Sequence, residues 1–152
     1  MSSATTVVQF PSKSIYDTSI YLNAIRNRKY YDQLLPHFAR TLSTTYFCAV
    51  VAQELKAGCY TSVAFSRVEN FIRPFRRTGR LITPTFSDWE ETGELLARML
   101  REQSQLKDKL PQLINDTLIA LCGLRLGAVV YTANRDDFAL IQHYKQFHFA
   151  VV

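Results

Sequence analysis

Apolar residues recur along this chain in two periods, and the switches between them predict alternating strands and helices. Short apolar runs rich in β-branched and aromatic residues predict strands at 12–16, 44–50, 80–84, 128–132 and 146–152. Apolar positions spaced three and four apart predict helices at 18–27, 29–42, 49–58, 60–73, 87–103, 111–127 and 136–145. This alternation predicts an α/β domain with a central, mainly parallel sheet of about five strands.

Punctuating residues predict where several of these helices begin, bend or end. Pro36 should interrupt one helix and Pro74 should stop another, because proline lacks the N–H that a helix interior needs. Ser87 with Glu90 three residues later matches a capping box at a helix start. Pro111 and Gly127 bracket the helix at 111–127 in the expected order, with proline at the entrance and glycine at the exit.

Length and composition are those of one ordinary globular domain. The 152 residues, 47% hydrophobic and 20% charged, predict a single domain over 1–152, with residues 1–11 as an N-terminal extension. No apolar run reaches the length of a membrane span, and the first residues lack the pattern of a secretory signal, so we expect a cytoplasmic protein without a membrane partner. The cysteines are odd in number, and Cys48 and Cys122 lie in apolar runs, which predicts buried, reduced thiols.

The net charge of +5 permits a polyanionic partner, and its distribution is uneven. Residues 66–80 carry five arginines against one acid. Four of these arginines are candidates for RNA binding: Arg73, Arg76, Arg77 and Arg80. A solvated helix face explains the same stretch equally well.

Four acidic positions lie in apolar surroundings. Asp17 directly follows the first predicted strand, and Glu54 shares a helix face with apolar residues. Asp116 aligns at helical spacing with a row of small residues, Ala120, Gly123 and Gly127. The fourth position is Asp136 or Asp137, just after the strand at 128–132. In a parallel sheet, ligands bind outside the carboxyl ends of the strands, where Asp17 and the fourth acid are expected.

Carboxylates in apolar surroundings need either a cationic partner or a metal ion, because burying them unpaired is costly. No lysine or arginine occupies a matching inward position in the sequence pattern. A group of hard oxygen ligands therefore predicts Mg²⁺ or Mn²⁺. Helix capping is the alternative for Asp17 and Asp137, since each precedes or opens a predicted helix.

These acids occur within motifs that resemble the PIN-domain ribonucleases, especially the VapC-type toxins of bacterial toxin–antitoxin pairs. The motifs, in order, are "IYDTSIYL", "VVAQELKAG", "NDTLIALCG" and "TANRDDF". The last contains the family's Thr-x-Asn-x-x-Asp-Phe element as Thr132, Asn134, Asp137 and Phe138. The resemblance extends from about Ser14 to Val152, and the sixteen residues before Asp17 are more than VapC-type chains usually have.

The resemblance implies a PIN-like three-layer α/β/α sandwich and a metal-dependent endoribonuclease that cleaves RNA phosphodiester bonds. It implies that Asp17, Glu54, Asp116 and Asp137 hold one or two Mg²⁺ or Mn²⁺ ions and activate a water molecule. It further implies a homodimer and a cognate antitoxin laid across the site. Residues expected to orient the carboxylates or to add ligand oxygens are Thr18, Asn115, Thr132, Asn134 and Asp136.

Other classes fit the sequence less well. A haloacid-dehalogenase phosphatase needs a second Asp two residues after the first, where this chain has Ser19. A response-regulator receiver domain needs an acidic pair near its first strand, which is missing. The remaining alternative is a non-catalytic or RNA-processing PIN domain that acts as an RNA- or protein-binding module.

Overall fold

The computed structural model describes residues 12–152, which form one five-stranded sheet flanked by helices. The N-terminal extension predicted for residues 1–11 lies outside the described residues. The strands are β1 (Ser14–Tyr16), β2 (Thr45–Cys48), β3 (Leu81–Ile82), β4 (Val129–Thr132) and β5 (Phe149–Val151). The helices are α1 (Thr18–Arg26), α2 (Arg28–Thr41), α3 (Ala49–Ala57), α4 (Ser62–Thr78), α5 (Phe86–Glu102), α6 (Leu110–Leu126) and α7 (Arg135–Tyr144).

The sheet is parallel throughout and has the order β3-β2-β1-β4-β5. Ser14 is paired with Thr45 on one side and Val129 on the other, so the three central strands begin in register. The chain winds outward from β1 in one direction through β2 and β3, then crosses back and continues through β4 and β5. The strand order therefore reverses between β1 and β4, and this is where a parallel sheet opens a crevice at its carboxyl edge.

The small residues on α6 allow that helix to lie close to the sheet. Gly123 is buried, and a Cβ atom there would come within 2.6 Å of Val130 Cγ2 on β4. The chain then ends α6 at Gly127, whose φ of 68° is left-handed and which leads directly into β4. This close approach puts Asp116, two turns earlier on α6, at the carboxyl edge of β1 and β4.

Several predicted breaks and boundaries are wrong. Pro36 does not interrupt its helix, since α2 runs through it from Arg28 to Thr41 with Pro36 exposed and Leu34 buried. Helix α4 continues past Pro74 to Thr78, because Ile72 and Phe75 are buried on its inner face and Gly79 ends it in a left-handed conformation. Pro74 is exposed and costs the helix one internal hydrogen bond without ending it. The capping box of α5 consists of Thr85 and Asp88 rather than Ser87 and Glu90.

Asp88 also differs from its predicted place on a solvated face. It is 7% exposed, caps α5 and accepts a bond from Arg125 Nε at 3.2 Å.

The strand predicted at 44–50 ends at Cys48, and a 3₁₀ segment at Ser104–Lys109 precedes α6 without having been predicted. The three cysteines are free, and Cys48 and Cys122 are buried as expected. In residues 12–152, no helix has the length and apolar character needed to cross a membrane.

Candidate active site

The structure brings the four predicted acids, Asp17, Glu54, Asp116 and Asp137, into one group, which we call the acid cluster. The three aspartates are at most 5% exposed, and Glu54 is half-buried. Burial raises the pKa of Asp116 to about 8, and the charges of Asp17, Glu54 and Asp137 act in the same direction. The cluster lies between the carboxyl ends of β1 and β4, where the strand order reverses.

Two hydroxyl groups hold Asp17. Its Oδ2 accepts hydrogen bonds from Thr132 Oγ1 at 2.6 Å and Ser19 Oγ at 2.7 Å. Asp17 occupies the N-cap position of α1, but its side chain makes no capping bond to that helix. The structure thus places Asp17 in the cluster and does not use it as a helix cap. Burial raises the pKa of Asp17 above its ordinary value, although the two hydroxyl bonds act in the opposite direction.

Thr132 and Ser19 also fix the loop that leads from β4 to α7. Thr132 Oγ1 accepts from the backbone N–H of Asn134 at 2.9 Å, and Ser19 Oγ accepts from the N–H of Ala133 at 3.0 Å. The ends of β1 and β4 are thereby joined by side chains as well as by the sheet. Ser19 was not among the predicted site residues, although its place two positions after Asp17 could have indicated it.

Glu54 and Asp116 are each oriented by neighbouring polar groups. Thr18 Oγ1 donates to Glu54 Oε1 at 2.8 Å. The pKa of Glu54 is raised chiefly by burial and further by the charge of Asp17, while the bond from Thr18 lowers it. Gln112 Nε2 donates to Asp116 Oδ1 at 3.0 Å, from one turn earlier on α6. Gln112 was not predicted to belong to the site.

Asp116 Oδ2 is the most unusual atom of the cluster. It is fully buried and has no hydrogen-bond partner in the structure. Buried carboxylate oxygens normally have a donor, because leaving one unsatisfied costs about 1–3 kcal/mol or more. A carboxylate oxygen without a donor, near three other carboxylates, is the type of ligand that a hard cation such as Mg²⁺ prefers.

Asp137 is the member of its pair that lies in the cluster. Asn134 Nδ2 donates to Asp137 Oδ2 at 2.8 Å, and Lys109 Nζ donates to Asp137 Oδ1 at 2.6 Å. Asp136, by contrast, is exposed. The expectation that no lysine or arginine accompanies the acids is wrong, since Lys109 reaches the cluster from the 3₁₀ segment before α6. Its pKa is raised, first by the bond to Asp137.

The carboxylates are held by these bonds rather than gathered around one point. In the part of the chain that the structure describes, no three carboxylate, imidazole or thiol groups lie close enough together to hold an ion jointly. The oxygen ligands suit Mg²⁺ or Mn²⁺ in type, and Asp116 Oδ2 is buried without a hydrogen-bond donor. Lys109 occupies Asp137 Oδ1, so a cation that used this oxygen would have to displace the ammonium group.

Three of the four arginines predicted to bind RNA, Arg73, Arg77 and Arg80, lie together at the other edge of the sheet. Arg80 immediately precedes β3, and its guanidinium donates to the backbone carbonyls of Leu42 and of Thr45, the first residue of β2. Arg76 forms an ion pair with Glu69 at 3.5 Å, whereas Arg73 and Arg77 are exposed in the last turns of α4. Arg73, Arg77 and Arg80 therefore lie at the amino edge of the sheet, away from the acid cluster, whereas Arg76 lies near Ala49 and Thr83, just past the carboxyl ends of β2 and β3.

Comparisons with known proteins match the fold and not the sequence. No protein-family model matches the chain, and neither does any curated protein. A chain of the DNA-bound VapBC complex from Salmonella typhimurium superposes with a TM-score of 0.68 at 21% identity, covering 92% of this chain and 98% of that one. A chain of VapBC2 from Rickettsia felis, bound to a promoter DNA fragment, gives a TM-score of 0.63 at 19% identity, with 91% and 98% covered. At the level of the fold, these structures confirm the predicted PIN-like architecture.

Proposed function

We propose that this protein is a metal-dependent endoribonuclease that acts as the toxin of a toxin–antitoxin pair. The observation that carries the proposal is buried Asp116, whose Oδ2 has no hydrogen-bond donor and whose pKa is raised by burial and by the charges of the other three acids. Such a group is electrostatically unfavourable by itself and becomes favourable when it binds a divalent cation. The likeness to two VapBC structures supports the toxin–antitoxin part, and with it a cognate antitoxin as partner.

In this proposal, the acid cluster holds Mg²⁺ or Mn²⁺. When bound, the cation lowers the pKa of a water molecule and stabilises negative charge on the phosphodiester. Thr132 and Ser19 orient Asp17, and Thr18 orients Glu54. Gln112 orients Asp116, and Asn134 orients Asp137. These groups keep the carboxylates in place so that less reorganisation is needed when the substrate binds. The homodimer belongs to the proposal on the family resemblance alone.

Metal binding is the first test. Mn²⁺ should raise the melting temperature of the wild-type protein, because a ligand that binds only the folded state stabilises it. The Asp17→Asn variant should fold, melt at a higher temperature than wild type without metal, and lose most of the gain from Mn²⁺. Asp108→Asn, which changes an exposed acid outside the cluster, is the matched control and should keep the full gain. Equal Mn²⁺ effects in wild type and Asp17→Asn would contradict the proposal.

Cleavage of single-stranded RNA is the second test, and the adjacent aspartates provide its control. Asp137→Ala should abolish Mn²⁺-dependent cleavage, whereas Asp136→Ala should retain most of it, since only Asp137 lies in the cluster. PIN-domain ribonucleases, which the motifs resemble, usually leave 5′-phosphate and 3′-hydroxyl ends, and the same products are expected here. Wild-type cleavage by Asp137→Ala would show that the cluster is not the catalytic centre.

The binding-module function is a second candidate, because the structure contains an observation that favours it. Lys109 pairs with Asp137, and hydroxyl and amide donors hold the other three carboxylates. A PIN domain could keep such acids for structure alone. Under this function, RNA would bind without being cleaved, and Mn²⁺ would leave the melting temperature of the wild-type protein unchanged.

A further inference from the structure

Lys109 differs from the other cation that pairs with a buried acid in this molecule. Its Nζ lies 2.6 Å from Asp137 Oδ1, and this is the one hydrogen bond that the ammonium makes with a described residue. The Lys109 side chain is 52% exposed, while that of Asp137 is 7% exposed. In residues 12–152, no other lysine or arginine forms an ion pair with a member of the acid cluster.

The pair formed by Arg125 and Asp88 shows what a structural ion pair looks like in the same protein. Arg125 donates to Asp88 and also to the carbonyl of Thr83, so its guanidinium braces two segments of chain. Asp88 is satisfied further by the backbone N–H of Thr85. Lys109 has no such second partner among the described residues. Its long stem lets the ammonium move a few ångströms at little cost in packing.

Binding of a divalent cation at the acid cluster would weaken the interaction between Lys109 and Asp137. The ammonium and the metal would compete for Asp137 and would repel each other. An RNA phosphodiester at the site would bring a new negative charge within reach of the displaced amine. A flexible lysine at the rim of a carboxylate cluster is suited to contact such a phosphate as a point charge.

We propose that Lys109 is a substrate-binding residue of the candidate active site. It neutralises Asp137 in the free protein, gives up that oxygen when a divalent cation binds, and then contacts a phosphate of the RNA. This inference rests on the proposed nuclease function. It adds to that function a positively charged side chain that contacts the RNA.

A metal titration tests the first half of this inference without any reaction. The melting temperature is followed against Mn²⁺ concentration for wild type, Lys109→Met and Lys107→Met, the last being an exposed lysine two residues away. Lys109→Met should reach half of its thermal gain at an Mn²⁺ concentration about threefold lower or more, because a competing charge is gone. Lys107→Met should match wild type. A midpoint for Lys109→Met that is unchanged or higher would overturn the inference.

The salt dependence of RNA cleavage tests the second half. At saturating Mn²⁺, Lys109→Met should raise KM for single-stranded RNA, and the slope of log KM against log salt should fall by about 0.7, the value for one lost phosphate contact. Lys109→Arg should restore the slope, and Lys107→Met should leave it unchanged. If wild type and Lys107→Met bind Mn²⁺ and cleave RNA while Lys109→Met has the wild-type slope, the inference alone fails. If wild type neither responds to Mn²⁺ nor cleaves RNA, both the inference and the proposed function fail.

Discussion

At the scale of single residues, Asp116 couples the candidate site to the stability of the protein. It is 1% exposed, and burial together with three neighbouring carboxylates raises its pKa to about 8 from an ordinary value of 3.8. Between these two pH values the folded protein holds a proton at Asp116 that the unfolded chain has lost. The free energy of unfolding must therefore decrease as the pH rises through this range. The metal-free protein carries this cost whatever its function is.

Asp116→Asn should remove that pH dependence. Without metal, and with EDTA present, the variant should be more stable than wild type by more than about 1 kcal/mol near pH 9, since asparagine stays neutral and can still accept from Gln112. The gain should shrink steadily toward pH 4, where Asp116 is protonated in the folded wild-type protein. Thermal unfolding followed by circular dichroism over this pH series measures the difference. A gain that is independent of pH would contradict the assignment, and Asp108→Asn should show no gain at any pH.

The residues of the site differ in how far the sequence alone could identify them. The acids follow strands or share helix faces with apolar residues, so local context predicts that they are inward, and the order of the motifs links them. Gln112 lies one turn before Asp116 on a predicted helix, so the sequence could have indicated it. Lys109 lacks such a context, because its partner is 28 residues away. From the sequence alone, a lysine in the charged stretch before α6 is expected to be solvated. Only the tertiary structure shows that α7 lies beside it.

At the scale of secondary-structure elements, the contact between α6 and β4 decides where Asp116 lies. Gly123 faces Val130, which is fully buried and β-branched, so neither the helix nor the side chain can easily yield. Gly93, on α5, is also helical but is exposed, and a Cβ atom added there would have no neighbour within 4 Å. Comparing substitutions at these two glycines therefore distinguishes the effect of packing from the effect of helix propensity.

Gly123→Ala should destabilise the protein although alanine is the better helix former. The added methyl group would meet Val130 Cγ2 at 2.6 Å, and overpacking of this kind costs about 1–3 kcal/mol. Gly93→Ala should instead be neutral or stabilising by up to about 1 kcal/mol. Urea unfolding of both variants provides the comparison. Similar effects of the two substitutions would show that α6 has room to move away from β4.

The elements themselves were largely predictable, because the apolar periods of strand and helix differ clearly. The errors occur where tertiary packing overrides a local signal. Pro74 normally ends a helix, but the burial of Phe75 one residue later keeps α4 helical until Gly79. Two overlapping capping patterns are present at the start of α5: Thr85 with Asp88, and Ser87 with Glu90. The first one forms, and its Asp88 also pairs with Arg125. Arg125 is 37 residues from Asp88, so this pairing is not visible in the local sequence.

At the scale of the whole molecule, opposite charges occupy opposite edges of the sheet. The acid cluster lies at the carboxyl edge, and Arg73, Arg77 and Arg80 lie at the amino edge. A strand of four residues spans about 13 Å, so one nucleotide cannot contact both edges. A longer RNA could reach the arginines while its scissile phosphate lies at the acids. Comparing a long RNA with a dinucleotide therefore distinguishes a role of these arginines in RNA binding from a role in cleavage.

A double variant, Arg73→Gln with Arg77→Gln, should weaken the binding of a long single-stranded RNA and lower the salt slope of that binding by up to about 1.4, or about 0.7 for each lost phosphate contact. Cleavage of a dinucleotide at saturating Mn²⁺ should proceed at the wild-type rate, because this substrate reaches only the acid cluster. Arg101→Gln, on exposed α5 surface, is the control for loss of charge alone. Fluorescence anisotropy at several salt concentrations gives the slopes. An unchanged slope for the long RNA would assign Arg73 and Arg77 to a solvated helix face, and slower dinucleotide cleavage would mean that they act on the acid cluster from across the sheet.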